Sequence, residues 1–74
     1  MGAREELESM FEDVNEKILA KIDELRSAGK RGEMSRIRIA REYFCDALVL
    51  ALVEKNVDEA KYKLARALAI LREI

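Results

Sequence analysis

The chain has 74 residues, near the lower limit for a domain that builds its own core, and 50% of them are hydrophobic. One cysteine and no histidine exclude an internal disulfide and the usual zinc ligand sets, so packing alone must hold the fold and no cofactor is expected. Fourteen basic residues against fifteen acidic ones give a net charge of −1, which provides no overall field toward nucleic acid or an anionic membrane.

Proline is absent, and Ala, Leu, Glu, Lys and Arg dominate, a composition that is helical throughout. The N-terminal stretch MGAREELESM is charged from Arg4 onward, unlike a signal peptide. Glu6 stands where a myristoylation site would carry Ser or Thr. The first predicted helix spans about 3–28. At ~100° per residue, Leu7, Phe11, Val14, Ile18, Ile22 and Leu25 share one stripe, with Glu, Asp and Lys opposite. That acidic face (Glu5, Glu6, Glu12, Asp13, Glu16) lacks the Glu-x-x-His motif of a di-metal bundle. Gly29 follows Ala28 where a left-handed residue would end the helix, and Gly32 closes the turn KRG.

The stretch KRGEMSRIRIAR sets Lys30, Arg31, Arg36, Arg38 and Arg41 around a single acid, Glu33. Cations in the first turns of a helix oppose its dipole. They can border an interface, meet phosphates, or solubilise a loop and pair with the acidic first helix. With no interleaved aromatic platform and an acidic remainder, nucleic acid is not expected as a partner.

The second predicted helix spans about 33–55 and has two apolar faces. Ile37, Ala40, Phe44, Leu48, Ala51 and Leu52 form a core stripe. Ile39, Tyr43, Asp46, Leu50 and Val53 form another, spaced four, three, four, three and lying ~180° from the first. Val49 and Cys45 fill the flank between them, and Glu42 lies on the same outward side. No apolar run approaches the ~18 residues of a membrane span, so no membrane partner is expected.

An outer apolar face on a bundle helix reads as an interface, with Tyr43 and Leu50 as anchors and Arg36, Arg38 and Arg41 around it. The alternative places Tyr43 and Leu50 at the margin of a broad core face, leaving Val53, Val49 and Ile39 partly exposed. Asp46 is either a solubilising residue or an acid that meets a basic or donor group of a partner. A homodimer through this helix is possible, but it brings Asp46 near its own copy, so a different protein is the easier partner.

Lys55-Asn56-Val57-Asp58 is the second break: Asn56 tolerates the left-handed conformation, Asp58 suits an N-cap, and Val57 can staple onto Tyr62. The third predicted helix, about 58–73, presents Ala60, Leu64, Ala67, Leu68 and Leu71 on one face with Val57. Short connections make neighbours antiparallel, so the expected architecture is an all-α, up-down-up three-helix bundle in one domain, residues 1–74.

Catalytic chemistry has little to work with. There is no Gly-rich phosphate loop, no GxSxG and no paired-Cys motif, and Cys45 sits mid-helix with no imidazole to activate it. No enzymatic activity is expected.

The segment EKNVDEAKYKLARALAILREI, together with idealised helices free of Pro, His and Trp, resembles a de novo designed three-helix miniprotein over essentially the whole chain. That resemblance implies use as a binder or as a scaffold presenting a helix. Cys45, Met10 and the Arg-rich start of the second helix depart from a design made for stability, and suggest residues imposed by function. A lone thiol without an export signal suits a reducing cytosol or a recombinant chain. The helix-turn-helix is also similar to a tetratricopeptide repeat, but the Trp, Gly and Pro signature is missing and one copy is too few.

Overall fold

In the computed structural model, which describes residues 2–74 apart from the Ala3 side chain, the strong helix formers give three helices. They are α1 (Ala3–Ala28), α2 (Met34–Leu52) and α3 (Val57–Glu73), with one 3-10 turn, Arg31–Glu33, leading into α2. The helices pack antiparallel in the expected up-down-up bundle, measuring 41 × 19 × 17 Å. No strand occurs among the described residues.

The first break forms as the sequence implies. Gly29 takes φ 72°, and its N–H donates to the Arg26 carbonyl at 3.2 Å while the Lys30 N–H donates to the Leu25 carbonyl at 3.0 Å. These are the two bonds of a Schellman terminus, and the left-handed φ is what asks for glycine.

The second break differs from expectation. α2 stops at Leu52 rather than near 55, and Lys55, not Asn56, takes the positive φ, at 58°. Asn56 instead caps α3, its Oδ1 accepting the Glu59 N–H at 3.1 Å, so Asp58 falls inside the first turn. Asparagine caps as well as aspartate, and here it satisfies an orphan amide one turn into the helix. Val57 becomes the first helical residue and packs on the core, while Tyr62 is exposed, so the expected staple between them is absent. The Asn56 N–H donates back to the Leu50 carbonyl at 2.8 Å, tying the loop to α2.

Leu7, Val14, Ile18 and Leu25 of α1 and Leu64 and Leu71 of α3 are buried, as their periodicity predicts. Phe11 meets Phe44 edge to face, ring centroids 5.5 Å apart and planes at 88°, a geometry contributing about 0.5–1.5 kcal/mol beyond burial. Between α2 and α3 the contact is the most extensive in the bundle, and Ala40, Ala47, Ala60 and Ala67 are fully buried there or beside it. Small side chains let helix axes approach toward the lower end of the roughly 8–10 Å range.

Two substitutions test the α2–α3 connection. Lys55→Gly removes the left-handed penalty and should raise unfolding free energy by about 0.5–1 kcal/mol. Asn56→Ala should lower it by about 1 kcal/mol through loss of the cap. Urea denaturation of both variants, at unchanged m-value, measures each effect; equal stability of all three proteins would contradict this account of the loop.

Candidate functional site

α2 is the helix whose sequence least serves its own stability. Its first turn holds no acid and its last no base, whereas α1 and α3 begin with Glu5, Glu6, Asp58 and Glu59 and end with Arg26 and Arg72. Arg36, Arg38 and Arg41 are exposed, and among the described residues none of them forms an ion pair within 4 Å. The expected pairing of these arginines with the acidic first helix is therefore not what holds them. Among the described residues, the ion pair joining two helices is Lys61 to Glu6, 3.1 Å, between α3 and α1.

The two faces expected of α2 need rotation. Ile37 and Ala40 are buried as expected, but so is Ala47, which the apolar stripe omitted. Tyr43 and Leu50 are half-buried and packed against the core, and Lys63 Nζ lies 5.4 Å from the Tyr43 ring centroid in a cation–π contact from α3. They are not outward anchors. The alternative, a broad core face with Tyr43 and Leu50 at its margin, describes the packing. Leu52, placed in the core stripe, is instead 64% exposed.

What remains outward is a ridge. Val49 is 50% exposed and Val53 72%, and with Leu52 they occupy positions i, i+3 and i+4 on the final turn of α2 and its cap. Cys45, one turn earlier, is exposed, as are Glu42 and Asp46 beside it. Arg38 and Arg41 continue the surface toward the start of α2, and a shallow depression is lined by these arginines with Glu42, Cys45 and Asp46. Ile39 is exposed at the other edge, next to Tyr43. Of the nine residues proposed from sequence, the structure thus brings Arg38, Ile39, Glu42, Asp46, Val49 and Val53 onto one exposed surface, Ile39 sharing a depression with Glu42 and Asp46. Arg36 is exposed one turn before them, and Tyr43 and Leu50 go inward.

Reasoning from the sequence missed Leu52. The signal was its spacing from Val49 and Cys45, which forms an outward heptad line (Glu42, Cys45, Val49, Leu52) as regular as the one chosen.

Among the described residues no group of three His, Cys, Asp or Glu is placed to hold a metal ion, and no helix is long and apolar enough to cross a membrane.

Because Tyr43 and Leu50 pack on the core, Tyr43→Ala and Leu50→Ala should each lower unfolding free energy by about 1–3 kcal/mol. Val53→Ala should change it by less than about 0.5 kcal/mol. Thermal or urea melts of the three variants decide the orientation of α2: a stable Leu50→Ala beside an unstable Val53→Ala would reverse it.

Compared with known protein families, characterised proteins and solved structures, the chain matches none.

Proposed function

We propose that the chain is a non-enzymatic protein-binding module that presents the outer side of α2 to a protein partner, in the manner of the designed three-helix miniproteins it resembles. One observation carries this reading: the contiguous exposed ridge of Val49, Leu52 and Val53, on a helix whose other large apolar residues, Ile39 apart, are buried or half-buried. A solvated aliphatic ridge of this kind gains roughly 25 cal/mol for each Å² that a partner covers. Asp46, Glu42, Arg38 and Arg41 form its polar rim, supplying register and orientation rather than bulk affinity.

A second copy is the less favourable occupant. Three aliphatic side chains alone fall well short of the roughly 800 Å² per partner in a stable interface. A twofold contact centred on the ridge also brings the flanking Asp46 toward its own copy. A foreign partner can supply a larger surface and a basic or donor group opposite Asp46.

Val49→Arg combined with Val53→Arg tests the reading, since both positions are exposed and the fold should melt within about 0.5 kcal/mol of wild type. A partner captured by the wild-type chain should be lost by the double variant and kept by Glu16→Arg, on the acidic face of α1. Retention by the double variant would refute the ridge as the contact. Sedimentation over a wide concentration range separates the alternative: a dimer that dissociates in the double variant would make the chain a self-associating bundle.

A further inference from the structure

The chain has three serines, Ser9, Ser27 and Ser35, and no threonine, and all three serines are exposed. Their surroundings differ in charge. On a helix, the residues three and four positions away stand beside a given side chain. For Ser9 these are Glu5, Glu6, Glu12 and Asp13. For Ser27 they are Asp23 and Glu24 within α1, with Lys30 and Arg31 beyond the helix end. For Ser35, the second residue of α2, they are Arg31, Gly32, Arg38 and Ile39. We propose that Ser35 is a phosphorylation site, at which the added phosphate is gripped by Arg31 and Arg38 and fixes the start of α2. The inference does not rest on the binding role proposed above.

Ser35 Oγ lies at the surface, donating to the Gly32 carbonyl at 3.1 Å. Arg31 and Arg38 are exposed, and among the described residues neither forms an ion pair within 4 Å. The planar guanidinium fork matches phosphate oxygens, and such charge-assisted bonds are stronger than neutral ones. Residues 25–41 hold six cations and one acid, Glu33, which is half-buried; the next acid, Glu42, stands two turns beyond Ser35. A group of charge about −2 at Ser35 therefore meets an excess of positive charge. It also supplies the acid that the first turn of α2 lacks.

The segment can open to an enzyme. Neither the 3-10 turn nor α2 begins with a side-chain cap, and uncapped helix ends fray first. A serine kinase that recognises flanking arginines transfers the terminal phosphoryl group of a nucleoside triphosphate. The Oγ–P bond forms, the bond from that phosphorus to the nucleoside diphosphate breaks, and the hydroxyl proton passes to the kinase's base. The bond from Ser35 Oγ to the Gly32 carbonyl is lost with the proton, and bonds from the two guanidinium groups replace it.

Total chemical synthesis supplies the full chain unmodified and with phosphoserine at position 9, 27 or 35. In thermal melts at low salt, phosphate on Ser35 should raise Tm by about 3–8 °C. Phosphate on Ser9 should lower it, and phosphate on Ser27 should not raise it. In about 1 M salt, where the Debye length shrinks to about 3 Å, the gain at Ser35 should fall by at least half. Arg31→Gln with Arg38→Gln should abolish the gain while moving the Tm of the unmodified chain by less than about 2 °C. Separately, the intact unmodified chain is incubated with magnesium ATP and an arginine-directed serine kinase. Mass spectrometry should find one phosphate, on Ser35, and none on the Ser35→Ala chain. A Tm at or below that of the unmodified chain, or a gain that survives both glutamine substitutions, overturns the grip by the arginines. An equal gain at Ser27 overturns the assignment to Ser35, and so does failure of the kinase to modify Ser35 in the intact chain.

Discussion

The close seam between α2 and α3 governs the rest of the molecule. Ala40 and Ala47 lie one heptad apart on α2, Ala60 and Ala67 one heptad apart on α3, and all four are fully buried. Alanines repeated at that interval let two helices approach along their length instead of at one crossing point. Once α2 is drawn onto α3 by this edge, its rotation about its own axis is set. Tyr43 and Leu50 are then carried against the core, and Val49, Leu52 and Val53 are carried out into water. The exposed ridge and the alanine seam are two consequences of one rotational setting.

The same rotation explains the looseness on the other side. A helix of modest width cannot approach two neighbours equally when its smallest residues all lie toward one of them. Larger side chains, Phe11 with Phe44 and Leu48, hold α1 and α2 apart, and the edge-to-face rings act as a spacer as well as a contact. A groove lined by Phe11, Leu48, Ala51 and Leu52 opens between α1 and α2. α1 is nonetheless fixed, because its buried stripe from Leu7 to Leu25 meets the shared core and its Glu6 reaches Lys61 of α3. An exposed ion pair of that kind adds little stability, so α1 is held chiefly by burial of its stripe.

The bundle, its three helices and the left-handed Gly29 were legible from periodicity and punctuation, because these signals are local. The second break was only half legible: Lys-Asn-Val-Asp offers two residues able to cap and two able to turn. The choice of Asn56 over Asp58 depends on where α2 releases the chain, which is decided by the Asn56 bond back to Leu50. The orientation of α2 was not legible. Counting large apolar residues centres the core near Ile37 and Leu48, whereas the buried set including Ala47 centres it about 50° away, toward α3. A fully buried alanine contributes closeness rather than volume, and apolar size is what periodicity weighs. Where a helix is apolar nearly all round, the small residues and not the large ones reveal which side meets a neighbour.

A short helical domain with the binding role proposed above must accommodate both stability and recognition. With 74 residues and no staple, almost every apolar side chain is needed inside, and little can be spared for a partner. Alanine at the tightest contact relaxes that conflict. It builds an intimate interface from the least volume and releases larger aliphatics, Val49, Leu52, Val53 and Leu19, to the surface. The arginines of α2 fit the same division. They oppose the dipole of their own helix, and among the described residues they have no ion pair within the chain, so their contribution to the isolated fold is small or unfavourable. Exposed aliphatics beside unengaged charges, on a helix held to α3 by alanines, are the arrangement the proposed binding role asks for, and the stability of the bundle does not require it.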